Sequence, residues 1–365
     1  MPHAGREAKS QTSKVWDQPG VHEVAPGVHR LALPIPDAAL RAINVYILAS
    51  ADGVVMIDGG WADPRCAQAL REGLGELGLM PADISDIYVT HLHHDHYSLA
   101  LQLRRQHGCK VHLGVGERPS LTAGARADTP LAQADQLRLY GAEHEVESFV
   151  DRLQDSGLPV DLAWDQPDAW LVDEQLIVLR EHSLEVIATP GHTRGHVCFR
   201  NREHGLLFTG DHVLPHITPS IGFEREPEEL QVQTFLNSLT MLLSQPDAVV
   251  LPAHGQVIPS VHERVHELLD HHADRLRASL EGVRGGATSA WEVAGRLRWT
   301  RKQTQIDALD VVHRGLAVIE IGCHLDVLVE RGDLIATQTD GVRRYRISPA
   351  VEPDERGISC TTTLC

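Results

Sequence analysis

The sequence predicts an α/β fold in which short hydrophobic strands end on turns that carry histidine or aspartate. The first observation behind this is the run His91-Leu92-His93-His94-Asp95-His96, directly after the apolar stretch Ile87-Tyr88-Val89-Thr90. A strand ending there puts these ligand-type side chains in one loop at a sheet edge. Imidazole and carboxylate together suit zinc, iron(II) or manganese. The second observation is recurrence. Residues 184–188 lead into Thr189-Pro190-Gly191-His192-Thr193, and Gly205-Leu206-Leu207 leads into Phe208-Thr209-Gly210-Asp211-His212. Residues 248–250 lead into Leu251-Pro252-Ala253-His254-Gly255. Each is a short hydrophobic strand, a Gly- or Pro-marked turn and a potential ligand. A single histidine after a strand is more often a hydrogen-bonded structural residue. Four such units in one chain collect a metal site.

The remaining elements follow in order. Residues 1–20 are polar and read as a mobile tail. Residues 28–33 and 44–48 read as the first strands of an antiparallel sheet edge. Residues 64–79 read as a helix with Cys66, Leu70, Leu74 and Leu77 on one face. Pro81-Ala82-Asp83-Ile84 begins the strand that feeds the ligand loop, and residues 98–106 form an amphipathic helix whose N-terminus faces the metals. An insertion at about 117–163 is rich in Ala, Gln, Leu and Glu over 131–153, which predicts one or two helices. We read it as a substrate lid. Residues 261–280 form a His- and Arg-rich helix, broken at 282–286. Thr288-Ser289-Ala290-Trp291-Glu292 opens a capped helix, and a long helix spans 306–330. Two strands, 333–336 and 342–347, flank the hairpin signal Thr339-Asp340-Gly341, and 349–365 is a tail.

The order HLHHDH, TPGHT, TGD and PAHG, with Asp58-Gly59-Gly60 as an earlier acidic turn, resembles the metallo-β-lactamase superfamily over roughly residues 21–259. The resemblance implies an αββα sandwich over 21–261. The helices and two-stranded wing that follow, over 262–348, resemble the small winged-helix domain carried by one branch of that superfamily. By similarity, His91, His93 and His192 hold one metal, Asp95, His96 and His254 a second, and Asp211 bridges them. Asp58 orients a ligand histidine without binding metal. His94 receives no role, and His196 and His212 are read as structural neighbours of the ligands. Two divalent ions are implied as cofactors, zinc first, with iron or manganese fitting the same donors. Such a pair, about 3.5–4 Å apart, shares a hydroxide and lowers the pKa of water to about 7. Asp95 is placed to orient that nucleophile and to carry a proton to the leaving group. The reaction class is hydrolysis.

Composition bounds the rest. The chain has 365 residues, 42% of them hydrophobic, enough for one large or two moderate domains. No secretory signal and no membrane-spanning run is read, and the six cysteines show no paired spacing, so a reducing cytoplasm is expected. The net charge of −17 lies entirely outside residues 262–348, where 13 Lys and Arg face 13 Asp and Glu. A nucleic-acid partner is therefore not expected, although Arg343, Arg344 and Arg346 make the wing locally basic. A homodimer is left open. Flavodiiron proteins differ at His93 and carry a flavodoxin module. The tRNA-processing branch has a basic arm not found here, and secreted zinc β-lactamases use a different second ligand set. Glyoxalase II enzymes share the seven ligands but end differently. The expected substrate is a small acyl ester or thioester; a phosphodiester or RNA, and a lactone, are the alternatives.

Overall fold

The computed structural model describes residues 16–36, 40–50, 53–124, 132–154, 165–300 and 302–350. Most of both expected tails, Cys360, Cys365 and parts of the 117–163 insertion lie outside the described residues. The chain divides into two compact units, Met1–Ala132 with Gln154–Asp270, and Gln133–Leu153 with His271–Cys365.

The first unit is built on two sheets. One runs in chain order through β1 (Val21–Ala25), β2 (Val28–Pro34), β3 (Ala42–Ser50), β4 (Gly53–Ile57), β5 (Ile84–Val89), β6 (Lys110–Gly114) and β7 (Ala169–Leu171). It is antiparallel from β1 to β4 and parallel from β4 to β7. The other contains β8 (Leu176–Val178), β9 (Ser183–Ala188), β10 (Val197–Asn201), β11 (Leu206–Gly210) and β12 (Val249–Pro252), in the order β12-β11-β10-β9-β8. Among the described residues only β11 and β12 pair in parallel there.

Side-chain alternation explains the layering. In β4, Val54 and Met56 join Cys66, Leu70 and Leu74 of helix α1 (Pro64–Glu76) and Leu99 and Leu103 of α2 (His94–His107). Val55 and Ile57 point the other way, into a core shared with Val186, Phe199, Phe208 and Leu251 of the second sheet. Both faces of the first sheet are thus covered, which is why β4 reads as an unbroken apolar run.

Several predicted boundaries are corrected. Strand β1 precedes the two expected first strands; its exposed His22 and Glu23 hid it. Helix α1 ends at Glu76, leaving Leu77 half-buried at its C-cap. Residues Pro81–Asp83 form a 3-10 turn, closed by Asp83 Oδ2 accepting from Met80 N (2.7 Å), and the strand starts at Ile84. Helix α2 begins at His94 rather than 98, because His96 N and Tyr97 N both donate to His93 O at 3.0 Å. Only His91 and His93 therefore lie in a loop, whereas Asp95 and His96 sit on the helix's first turn.

The described part of the insertion forms the short helix α3 (Arg118–Gly124), then α4 (Ala132–Leu139), a 3-10 turn at Glu143–Glu145 and α5 (Val146–Gln154). Helix α6 (Gln231–Leu243) lies in the first unit, and α7 (Val261–Arg284) runs from the first unit into the second, so the division does not fall at 261/262. The second unit continues with α8 (Ala290–Arg296), α9 (Val311–Glu330) and the hairpin β13 (Leu334–Thr339) and β14 (Val342–Ile347). Ser289 caps α8 by accepting from Glu292 N, and Asp340 and Gly341 take the positive φ values of a tight hairpin turn (52° and 79°). The predicted long helix is shorter at its start. Ile306–Ala308 is a separate 3-10 turn, and Asp310 caps α9 by accepting from Val312 N and His313 N.

Residues Gln133–Leu153 of the insertion fold with this second unit, whereas its start, through Ala132, stays with the first. Gly315 and Gly322 are two turns apart on one face of α9, where the rings of Phe149 and Tyr140 approach so closely that an added Cβ would fall within 2.5 Å of each. Tyr140 and Tyr345 both donate to Asp326, at 3.1 and 2.9 Å. The lid reading gains no support from this packing. Among the described residues no helix is long and apolar enough to cross a membrane.

Gly322→Ala tests the docking by its sign. Helix propensity alone would stabilise α9 by about 0.5–1 kcal/mol. The Tyr140 ring leaves no room for the methyl. The expected outcome in urea unfolding is a net loss of about 1–3 kcal/mol, reduced when Tyr140→Ala is combined with it. A gain in stability would contradict the packing.

Candidate metal centre

All the predicted ligand turns sit at one end of the strands. Strand β5 delivers His91 and His93, β9 is followed by His192, β11 by Asp211 and β12 by His254. In the TGD turn, Gly210 takes φ 49°, and a Cβ there would lie 2.6 Å from Thr90 Oγ1 and 2.7 Å from His196 Nε2. Only glycine lets Asp211 follow so closely on the β5 end.

The side chains converge in two clusters. In one, His91 Nε2 lies 3.0 Å from His93 Nδ1 and 3.3 Å from His192 Nε2, and the last two nitrogens are 3.1 Å apart. In the other, Asp95 Oδ2 lies 3.1 Å from His254 Nε2 and 3.7 Å from His96 Nε2. Asp211 faces both: Oδ2 is 3.6 Å from His192 Nε2, and Oδ1 is 3.6 Å from His96 Nε2 and 3.5 Å from His254 Nε2.

Each ring is turned so that its outward nitrogen has an acceptor. His91 Nδ1 is 3.1 Å from Thr90 Oγ1, whose own proton goes to Asp58 Oδ1 (2.9 Å). His192 Nδ1 is 2.7 Å from Ser220 O, His254 Nδ1 2.8 Å from Ala42 O, and His93 Nε2 3.4 Å from Phe223 O. Asp58 Oδ2 lies 3.0 Å from His96 Nδ1. The inward nitrogens of His91, His93 and His192 are left as lone pairs. His96 Nε2 and Asp211 Oδ1 are buried with no hydrogen-bond partner among the described residues. Lone pairs converging on a buried space, with orphaned donor atoms, fit divalent metal ions.

Electrostatics separates the clusters. Burial, reinforced by the neighbouring histidines, holds His91 and His192 well below the ordinary imidazole value; burial also takes His93 down to about 4. Burial opposes charge on His96 too, but the carboxylates of Asp58, Asp95 and Asp211 lift it to about 10. The second cluster thus keeps protons that a cation would displace.

The other sequence candidates are placed as follows. His94 is largely buried and tilted against Trp61, 6.2 Å between ring centres. His196 Nδ1 is 2.8 Å from Thr189 Oγ1, and its Nε2 accepts from Asp211 N (3.3 Å), so it sits behind Asp211. His212 packs edge-on against Phe235. Burial pushes the Cys198 thiol up to about 12, which leaves it inert. Cys66, Cys109 and Cys323 are likewise buried and free.

Two buried carboxylates escaped the sequence reading. Glu117 Oε1 accepts from Thr193 Oγ1 (2.5 Å) and Leu92 N (3.3 Å), tying the loop of His91 and His93 to that of His192. Glu224 accepts from Arg194 N and from Gln231 Nε2 (3.1 Å). Burial pushes these carboxyls up to about 7 and about 9, and in Glu224 the nearby Glu117 adds to the rise. No local pattern marks either residue.

A model of the metallo-beta-lactamase superfamily matches residues 38–254. The chain belongs to that superfamily. Among its relatives is an atrochrysone carboxyl ACP thioesterase of Aspergillus novofumigatus, 24% identical over 326 residues, covering 88% of this chain and 84% of the relative. A lactamase-like protein of Pestalotiopsis fici is 25% identical over 301 residues, 80% of this chain and 78% of that one. Of solved structures, a beta-lactamase domain protein from Burkholderia ambifaria matches with TM-score 0.71 and 25% identity, over 90% of this chain and 95% of that one. A metallo-beta-lactamase family protein from Thermus thermophilus matches with TM-score 0.67 and 28% identity, over 89% of this chain and all of that one. The superfamily fold and the thioesterase relatives make this chain a hydrolytic enzyme, and the fold implies divalent metal ions.

Two outcomes are expected. Asp58→Ala frees the His96 ring and weakens binding of one metal about 10- to 100-fold in a chelator competition, with the fold intact by circular dichroism; unchanged affinity would contradict the role. Glu117→Gln keeps both accepted hydrogen bonds. Because folding raises the Glu117 pKa from 4.5 to about 7, its contribution is full below pH 4.5 and is lost as pH rises through 7. In metal-stripped protein the variant should therefore gain on the wild type between pH 5 and 8, by up to about 3 kcal/mol. A pH-independent difference would contradict it.

Proposed function

We propose that the chain is a dinuclear metal-dependent hydrolase of small acyl thioesters or esters, with thioesters first. The observation that carries this reading is Asp211, whose two carboxylate oxygens face the two ligand clusters separately. In this reading His91, His93 and His192 hold one ion, Asp95, His96 and His254 the other, and Asp211 bridges them. The ligand set is that of the glyoxalase II-like branch, and the helices and hairpin of the second unit are its winged-helix tail. Metals bound there would polarise the acyl carbonyl and acidify a water, zinc being the first candidate.

The chain's own residues do the rest. Asp58, Ala42 O, Ser220 O and Phe223 O keep four of the five ligand imidazoles in one tautomer, so no proton has to leave an inward nitrogen during turnover. Asp95 is buried beside His254 and can receive a proton from the attacking water and pass it to the departing thiolate or alkoxide. Glu117 holds the two ligand loops in register from behind.

Support for a thioester comes from the relatives named as ACP thioesterases, whose substrate is an acyl group on a carrier protein. A nucleic-acid substrate is disfavoured by the wing: Arg343 Nε pairs with Asp326 (3.0 Å), and Arg344 Nη1 reaches Thr288 Oγ1 (3.1 Å) and Glu292 (3.7 Å). The test is a panel of acyl thioesters, both free and carrier-bound, with aryl esters, lactones and phosphodiesters, run on metal-loaded protein beside Asp211→Ala. Thioesters should give the highest kcat/KM, and Asp211→Ala should lose both turnover and at least one equivalent of metal. Faster phosphodiester cleavage, or an Asp211→Ala protein with two metals and full rate, would overturn the proposal.

A further inference from the structure

A second kind of ligand cluster lies at the opposite end of the second sheet. Strand β9 begins at Ser183 and β11 at Leu206, so His182 and the turn Arg202-Glu203-His204-Gly205 sit at the strand ends away from His192 and Asp211. At about 3.3 Å per residue along β11, His204 is on the order of 20 Å from Asp211. One ring nitrogen each of His182 and His204 and one Glu203 oxygen lie within 4.8 Å of one another.

The surroundings prepare these side chains as ligands. His204 Nδ1 is 3.0 Å from Asn201 Oδ1, which also accepts from His204 N at 2.8 Å, so the ring is fixed with Nε2 as its free lone pair. Ser183 Oγ donates to Glu203 Oε1 at 3.3 Å. His182 is only 5% exposed, and its Nδ1 is buried with no hydrogen-bond partner among the described residues. Two imidazoles and a carboxylate leave the fourth position of a tetrahedral ion to water.

We propose that His182, Glu203 and His204 form a separate Zn2+ site that ties the turn before β9 to the β10–β11 turn. It is independent of the hydrolytic centre and of the substrate reading above.

The test counts metal on the full chain, without a histidine tag, as Zn2+ is titrated against a chromophoric chelator. Wild type should take up one equivalent more than His204→Ala or Glu203→Gln, at a half-buried and an exposed turn position that should fold normally. These variants should keep the wild-type hydrolytic rate, and only wild type should gain thermal stability as the last equivalent binds. The exposed His107→Ala serves as a control and should match wild type. Equal uptake by wild type and His204→Ala would overturn the proposal, as would loss of the same equivalent in the control. A fall in hydrolytic rate in step with the lost equivalent would do so too.

Discussion

The structure depends on one electrostatic constraint: five imidazoles and two carboxylates, all buried but the half-buried His93, converge with their donor atoms facing each other. Nitrogens about 3 Å apart with lone pairs opposed repel unless a cation stands between them. The fold accepts this because each outward nitrogen is satisfied, mostly by a main-chain carbonyl or by Asp58. The cluster of His91, His93 and His192 is thereby arranged to receive a cation.

The sheet topology makes such a site affordable in chain length. Asp95 and His254, about 160 residues apart in sequence, become neighbours because the segments that carry them follow strands ending at the same edge. The core between the sheets, with Tyr46, Phe199 and Phe208 fully buried, supplies the rigidity that holds donor atoms in place. Asp58 marks where local strain is accepted for this purpose: it sits at φ 60° while its carboxylate takes the protons of Thr90 N and Thr90 Oγ1.

Much of this was legible in the sequence because each ligand follows an apolar run and a turn. The αββα layers came from resemblance, but the strand-turn-ligand units came from residues alone. The start of α2 was misread because His94, Asp95 and His96 look like loop residues, and their helical state depends on His93 O accepting two amides. The insertion was misplaced because its anchors, Tyr140 and Phe149, find their partners at two glycines of α9 far along the chain. Glu117, Glu224 and the carbonyls of Ser220 and Phe223 left no readable signal. Lone carboxylates are common on surfaces, and a carbonyl carries no residue signature.

The central claim is that two cations occupy these clusters under one bridging carboxylate. Anomalous diffraction at a metal absorption edge, on crystals of the loaded protein, tests it most directly. The account predicts two peaks about 3.5–4 Å apart, one among His91, His93 and His192, the other among Asp95, His96 and His254, with Asp211 reaching both. A single peak in fully loaded protein, or two peaks with Asp211 turned away from one of them, would contradict it.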